Sequence, residues 1–515
     1  MRSSLHPILL FAMALCVPLL RGAALRGAVR LPGRVAARRR LLMCDGGRAS
    51  AAVIQDERKA SAPAPPAAPM DLKPPRGTRD FYPHSCATSD AEDMSLRTWL
   101  FGHWRAVAGL HGFEEYDAPV LESEELYVRK AGEDVTKQLY SMEDQSGRKL
   151  ALRPEMTPSL ARMVLARRGG MNLPVKWFSI PQCWRYERMT RGRRREHYQW
   201  NLDVWGVDGV AAEAELLAAA VGFCERVGLT AADVGVKVST RGVLAELLSK
   251  VGVPAERFAA VAVVVDKLDK LPEEEVRSLL GEQGLGGDVV DALLGALAVR
   301  DFDALAGVLG AESAALAELR ELWKLAEAYG YAEWLVLDTS VVRGLAYYTG
   351  IVFEGFDRKG ELRAICGGGR YDKLLSLYGS PTVVPACGFG FGDCVVMELL
   401  REKGVLPTLT PNLDFVVVAF NNEMRLHAVG LAAQLRGAGF AVDVLLAPKK
   451  HVDKAFSYAD RVDGRRVVFV APDEWAQKKV RVKDLRAPED DPNKQVDLPV
   501  DGFVDALAAM GVRPN

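Results

Sequence analysis

The sequence predicts an α+β fold: a sheet-based core carrying a helical insertion, then a smaller α/β domain with its own sheet. Three observations predict it. Strand-like segments cluster between residues 173 and 240 and return at 334–355. Between them, from about 254 to 333, Ala, Leu and Glu recur in a helical pattern. Beyond Pro407 and Pro411, short apolar strands alternate with helices.

Taken in order, the amino terminus comes first. Residues 8–20, ILLFAMALCVPLL, form an apolar run too short to span a bilayer comfortably and resemble a signal-peptide core. Arg21 to Arg40 is rich in Arg and Ala, and no acid precedes Asp45, which resembles a transit peptide. The pair suggests a two-part leader to a complex plastid; a single leader for the mitochondrion or for secretion is the alternative. ASAPAPPAAPM at 60–70 reads as a linker, and no later stretch has the length and apolarity of a membrane span. Thr88-Ser89-Asp90 is expected to cap a helix that carries Leu96, Trp99, Leu100, Val107 and Leu110 and ends at Gly112. FEEYDAPVLE follows, and Pro119 suits it only to a sheet edge or an interface. Strands are expected at 173–180, 183–187, 198–205, 234–240, 334–337 and 345–355, with helices at 211–227 and 393–403. In the tail DFVVVAF, AVDVLLA and RRVVFVA read as strands, alternating with helices at about 422–438 and 450–460.

The totals narrow the chemistry. A length of 515 residues suggests roughly two to four domains. With 66 Lys and Arg against 67 Asp and Glu, the net charge of -1 argues against wholesale coating of nucleic acid. The eight cysteines include no C-x-x-C and the seven histidines are scattered, so no metal site is expected. No G-x-x-x-x-G-K-[ST] occurs, which argues against a P-loop ATPase.

Against that neutral background, CWRYERMTRGRRREHYQWNLD at 183–203 contains six arginines. Arg185 falls among apolar neighbours with Glu187 on the same side, whereas Arg188 to Arg195 occupy a turn with Gly192 at its tip. Arginine suits phosphate oxygens and nucleic-acid backbone, although such a run can also be a solvated face. In the following strand Gln199, Asn201 and Asp203 share one face. That face must be wet, or it is the polar floor of a pocket. Gln199 and Asp203 stand roughly 13 Å apart along the backbone. Glycine clusters at GGGRYD (367–372) and GFGFG (388–392) mark turns or close packing. LRPEMTP (152–158) supplies Glu155 and Thr157, the latter as a possible helix cap, and VVRGLAYYTG (341–350) supplies Arg343, Tyr347 and Tyr348.

Together these segments resemble the histidyl-tRNA synthetase family of class II aminoacyl-tRNA synthetases. GFEEYDAPVLE is similar to the class's first motif, CWRYER with the arginine turn and next strand to its second, and LRPEMT, VVRGLAYYTG and GGGRYD to segments particular to the histidine enzymes. The match covers roughly 73–515. It implies a class II antiparallel sheet core with a helical insertion and a C-terminal α/β anticodon-binding domain. The expected boundaries are a leader and linker at 1–70, core at 71–253, insertion at 254–333, core again at 334–405 and anticodon-binding domain at 411–515. The resemblance also implies L-histidine, ATP with Mg2+ and tRNA(His) as substrates, in a homodimer. Arg185 and Arg343 would flank the α-phosphate as catalytic residues. Glu187, Arg193 and Arg195 would join them in binding ATP. Glu155, Thr157 and Gln199 would hold the histidine amino group, Asp203 and Tyr348 would bracket the imidazole, and Tyr347 and Tyr371 would line it.

Three positions depart from the family's pattern. Asp203 stands where many relatives carry Glu, Ala346 where they carry Asp, and Val395 where the third motif's arginine is expected. The alternatives are a histidine-sensing regulatory relative without catalysis and a class II synthetase for another amino acid. Arg343 and the tail at 413–515 argue against the first.

Overall fold

The computed structural model describes residues 70–129, 137–268, 271–341, 347–409, 413–447 and 452–514. The leader, Met70 apart, and the segment holding Arg343 and Ala346 lie outside them.

A helix, Met94–Leu110, comes first, and its cap is Asp93, whose carboxylate accepts from Ser95 N at 2.7 Å. The cap expected at Thr88–Asp90 falls instead on a separate short turn of 3-10 helix, Asp90–Glu92. After Gly112, at φ +70°, comes strand β1 (Glu114–Glu115). The strands β2 (Leu121–Ser123), β3 (Tyr140–Glu143) and β4 (Lys149–Leu152) form a small sheet in the order β2-β4-β3.

The large sheet takes β1 with β5 (Val175–Ser179), β6 (Gln182–Trp184), β7 (Glu196–Trp205), β8 (Val234–Thr240), β9 (Leu335–Leu337), β10 (Ile351–Asp357), β11 (Cys366–Arg370) and β12 (Ala386–Gly392). Its order is β1-β5-β7-β12-β11-β10-β8-β9, with β6 beside β7. The six middle strands are antiparallel, as the resemblance implies, and only the outermost, β1 and β9, pair in parallel. The strand expected at 183–187 stops at Trp184, because Arg185 N turns back to Arg195 O and closes a loop. The strand expected at 345–355 begins only at Ile351, so Tyr347 and Tyr348 precede it.

Period-two patterning decides the two faces of this sheet. Trp200 on β7 points into the core, 6.1 Å from the ring of Trp104 on the first helix and 5.8 Å from Phe223 on the helix Ala211–Arg226. GFGFG, expected as a turn or a close-packing site, is strand β12, and it is closely packed. Phe389 and Phe391 join Trp200 in the core, while Gly388, Gly390 and Gly392 face Asp203, Asn201 and Gln199 across the register. Gly369 and Gly367 of β11 continue that bare strip. Arg370 then fastens β11 to the helix below through a buried pair with Glu213, Nε to Oε1 at 2.6 Å.

Between β8 and β9 run helices at Arg241–Lys250, Phe258–Val265, Glu273–Glu282, Gly287–Leu297, Phe302–Leu309 and Ala314–Tyr329. The tail builds its own sheet from β13 (Phe415–Ala419), β14 (Val442–Val444), β15 (Arg466–Val470), β16 (Lys479–Asp484) and β17 (Gln495–Pro499), ordered β14-β13-β15-β16-β17. The first three strands are parallel and the last two antiparallel. β16 and β17 escaped the sequence reading because charged residues alternate with their apolar ones.

Candidate active site

The polar face of β7 is buried. Asp203 is 3% exposed and Asn201 5%, so this part of the face is not a wet surface. The Tyr371 hydroxyl donates to Asp203 Oδ1. Both sit over Gly388, and a methyl there would lie 2.6 Å from Tyr371 Oη. The rings of Tyr347 and Tyr371 lie 5.8 Å apart and those of Tyr347 and Tyr348 4.9 Å. Tyr348 spreads over bare Gly369, where a Cβ would come 3.0 Å from its ring. The Tyr347 hydroxyl donates to Glu155 Oε2 at 3.3 Å. Thus Glu155, Asp203, Tyr347, Tyr348 and Tyr371, distant in sequence, meet on one face of the sheet. Gln199 shares that face nearer the loop. Thr157 opens the helix Thr157–Arg167 as its first residue. It does not cap that helix: Pro158 follows it, and Met156 holds the cap position without a side-chain bond.

The arginines gather at the other end of the pocket. Arg185 Nε donates to Pro154 O at 2.9 Å, beside Glu155. The loop tip is a tight turn in which Arg193 N donates to Thr190 O at 2.9 Å, with Gly192 at φ +68°. Glu187, expected beside Arg185, pairs with Arg193 Nε instead, because the loop folds back over its own start. Arg195 is anchored at the loop base, its guanidinium 3.9 Å from the Tyr186 ring centre and its stem against Gly77. Arg191 is held by Glu398 and Glu402 on the helix Asp393–Lys403. Val395 on that helix seats the loop tip, its Cγ2 3.1 Å from where a Gly192 Cβ would stand. A cavity of about 290 Å³ opens nearby, lined among others by Arg79, Arg97, Arg193 and Arg194.

Electrostatics marks the place. The Arg193 guanidinium is pushed down to about 10, by burial first and then by repulsion from Arg363 and Arg185. The sequence reading passed over Arg363. It lies two residues before Ile365, whose carbonyl accepts from Gly392 N at 3.2 Å, so the fold brings it to the head of the helix Asp393–Lys403. His197, also overlooked, is held at about 3 by burial and by Arg185, Arg79 and Arg193. Arg79 pairs with Asp393, whose other oxygen accepts from Tyr198 N at 3.0 Å. At the opposite end, burial and then Asp203 raise the Tyr371 phenol well above its ordinary value. Among the described residues no group of three His, Cys, Asp or Glu side chains could hold a metal ion.

An antiparallel sheet with a buried polar pocket at one end of a face and converging guanidiniums at the other is the architecture of a class II aminoacyl-tRNA synthetase. The comparisons with known proteins specify it further. The family model for histidyl-tRNA synthetase matches residues 88–392, and that for an anticodon-binding domain matches 414–510. The histidine–tRNA ligase, chloroplastic/mitochondrial, of Arabidopsis thaliana is 52% identical over 429 residues, 83% of this chain and 86% of the relative. The histidine–tRNA ligase of Opitutus terrae is 38% identical, over 83% of this chain and 97% of its own. Among solved structures, the histidyl-tRNA synthetase of Nostoc sp. PCC 7120 shares the fold at TM-score 0.68 and 23% identity, covering 86% of this chain and all of its own, 100%. A Bacillus halodurans protein described as an ATP phosphoribosyltransferase regulatory subunit/histidyl-tRNA synthetase matches at TM-score 0.64 and 26% identity, over 78% of this chain and 99% of its own. The chain belongs to the histidyl-tRNA synthetase family.

Proposed function

We propose that this protein ligates L-histidine to tRNA(His) through a histidyl-adenylate. The observation that carries the reading is the buried Asp203–Tyr371 pair together with the cluster of Arg185, Arg193 and Arg363, in a chain 52% identical to a histidine–tRNA ligase. Asp203, fixed by Tyr371, accepts from one imidazole nitrogen and the Tyr348 phenol takes the other, so the two bracket the ring. Glu155, set by the Tyr347 hydroxyl, takes the ammonium group together with Thr157 and Gln199. The histidine carboxylate attacks the α-phosphorus; the new O–P bond forms as the bond to the β-phosphate oxygen breaks and pyrophosphate leaves. Arg185, with Arg343 from the segment outside the described residues, neutralises the charge that grows at that phosphorus. Glu187 meets the adenine, and Arg193 and Arg363 meet the outer phosphates, with Arg195 bracing the loop from its base. The substrate is MgATP, the magnesium arriving on the phosphates. The terminal ribose hydroxyl of the tRNA then attacks the carbonyl carbon and AMP departs.

The region 414–510 supports binding of the tRNA's anticodon end, and its presence weighs against the regulatory alternative. The first-motif segment along the β1 edge, with Leu110 exposed beside it, supports a homodimer through that edge. The two-part leader and the Arabidopsis relative support an organellar enzyme, in the plastid through the two-part leader, with the mitochondrion as the alternative. Pyrophosphate exchange with each of the twenty amino acids tests the activity. Histidine alone should drive it, followed by charging of tRNA(His). Exchange driven by another amino acid, or by none, would overturn the proposal. Arg343→Ala should abolish exchange while weakening histidine binding less.

A further inference from the structure

The cavity of about 290 Å³ behind the arginine loop has no part in the proposed reaction, and it stands on the other face of the sheet. Alternation along β7 sends Gln199 and Asp203 to the pocket face, and Tyr198 and Trp200 to the helix face. The cavity belongs to the helix face. Arg97 and Leu100 of the helix Met94–Leu110 line it, and Arg97 Nη1 donates to the Tyr198 hydroxyl at 3.2 Å. Cys394, Met397 and Arg401 line it from the helix Asp393–Lys403. Val395, which seats the loop tip on the ATP side, lies about 100° further round that helix from Cys394 and takes no part in the lining. Arg185, Gln199 and Asp203 take none either. The loop tip, Met189 to Arg194, forms the roof.

Six arginines reach this space, and four of them are answered by acids. Arg79 pairs with Asp393, Arg191 with Glu398 and Glu402, Arg193 with Glu187, and Arg401 with Asp90 and Glu398. Asp93, the remaining acid of the lining, is taken by His84. Arg97 and Arg194 form no ion pair among the described residues. Arg97 lies on the ring of Phe81, 4.2 Å from its centre, and Arg194 is within electrostatic reach of Cys394. Phe81, Met189 and Met397 add an apolar wall. Two guanidiniums without counter-charge suit a dianion, and a phosphomonoester carries a charge of about −1.5 to −2 near neutral pH with three acceptor oxygens. A phenyl ring and thioethers suit an aromatic body. The volume is at the small end of ligand sites, which run from about 300 Å³, so it holds one ring system and one phosphate. We propose that this cavity is a second ligand site, taking a small aryl or nucleoside phosphomonoester whose phosphate lies between Arg97 and Arg194 and whose ring lies against Phe81 and Met397.

The test titrates the full chain with 1-naphthyl phosphate, followed by its fluorescence, with and without saturating MgATP and with histidine withheld. Binding should persist when ATP fills the catalytic site, with Kd moving by less than about two-fold. Inorganic phosphate and 1-naphthol should each bind about ten-fold more weakly or worse, since each offers only half of the contacts. Arg97→Gln and Arg194→Gln should each raise Kd about ten-fold. Arg97→Lys, which keeps the charge, should stay within about three-fold of the wild type and so separates lost charge from lost folding. Asp203→Asn, on the other face, should leave Kd unchanged. Displacement of the probe by ATP would put it in the catalytic site and overturn the inference, as would a Kd that neither glutamine variant moves, or inorganic phosphate binding as tightly as the probe. Failure of the protein to bind ATP at all would count against the proposed function and leave the titration without ATP to decide this site.

Discussion

Three glycines of β12 allow the pocket's packing to be tested on one strand. Gly388, Gly390 and Gly392 face Asp203, Asn201 and Gln199 in register, and all three have backbone angles that alanine adopts. Their surroundings are graded. A methyl on Gly388 would collide with Asp203 Oδ1 and lie 2.6 Å from Tyr371 Oη and 2.7 Å from Leu202 O. One on Gly390 would meet Asn201 and Gln199 at 3.5 Å, an ordinary contact, and one on Gly392 would find nothing within 4 Å. Replacing glycine with alanine in a strand gains about 0.5–1 kcal/mol at any of the three. Overpacking at Gly388 costs about 1–3 kcal/mol, since Leu202 O belongs to the sheet and cannot move aside. Gly388→Ala should therefore be about 0–2.5 kcal/mol less stable than the wild type, with Gly390→Ala and Gly392→Ala at or slightly above it. Urea unfolding of the three variants measures this. Because the displaced groups are Asp203 and Tyr371, the histidine KM of Gly388→Ala should also rise about ten-fold, which corresponds to roughly 1.4 kcal/mol. Equal stability of Gly388→Ala and Gly392→Ala would refute the packing argument.

Asp203→Asn keeps the shape but offers the ring a weaker acceptor, so histidine KM should rise about ten- to a hundred-fold with ATP KM unchanged, measured by pyrophosphate exchange. Arg363→Ala removes a guanidinium that lies close enough to Arg193 to repel it; ATP KM should rise about three- to ten-fold and histidine KM should stay put. His197 has a folded pKa of about 3 against an ordinary value near 6.5. The unfolded chain then binds the proton more readily, so stability is full above pH 6.5 and falls as pH drops toward 3. At pH 5 a sealed ring would lose about 2 kcal/mol. The His197 side chain keeps part of its surface exposed, so about 1 kcal/mol is expected. His197→Gln should flatten unfolding free energy between pH 6.5 and 5; an unchanged slope would show that other groups govern it.

Strand β8 was legible to the residue, as was the helix Asp393–Lys403, because each has a continuous apolar pattern bounded by turn residues. Strand β12 was not recognised, since glycines read as punctuation unless one knows that a neighbouring strand fills their place.

The order of residues by itself determined the family's motifs, the arginine loop with Gly192 at its tip, and the alternation that puts Gln199, Asn201 and Asp203 on one face, because these depend on neighbours a few positions apart. Only the tertiary structure decided that this face is dry, that Tyr371 and not a nearer residue grips Asp203, that Glu187 answers Arg193, and that Arg363 joins the guanidiniums. Those outcomes turn on strand register and on the removal of water. Both arise from contacts between segments more than a hundred residues apart in some cases, such as Tyr371 with Asp203 at a separation of 168, a distance at which local spacing carries no information.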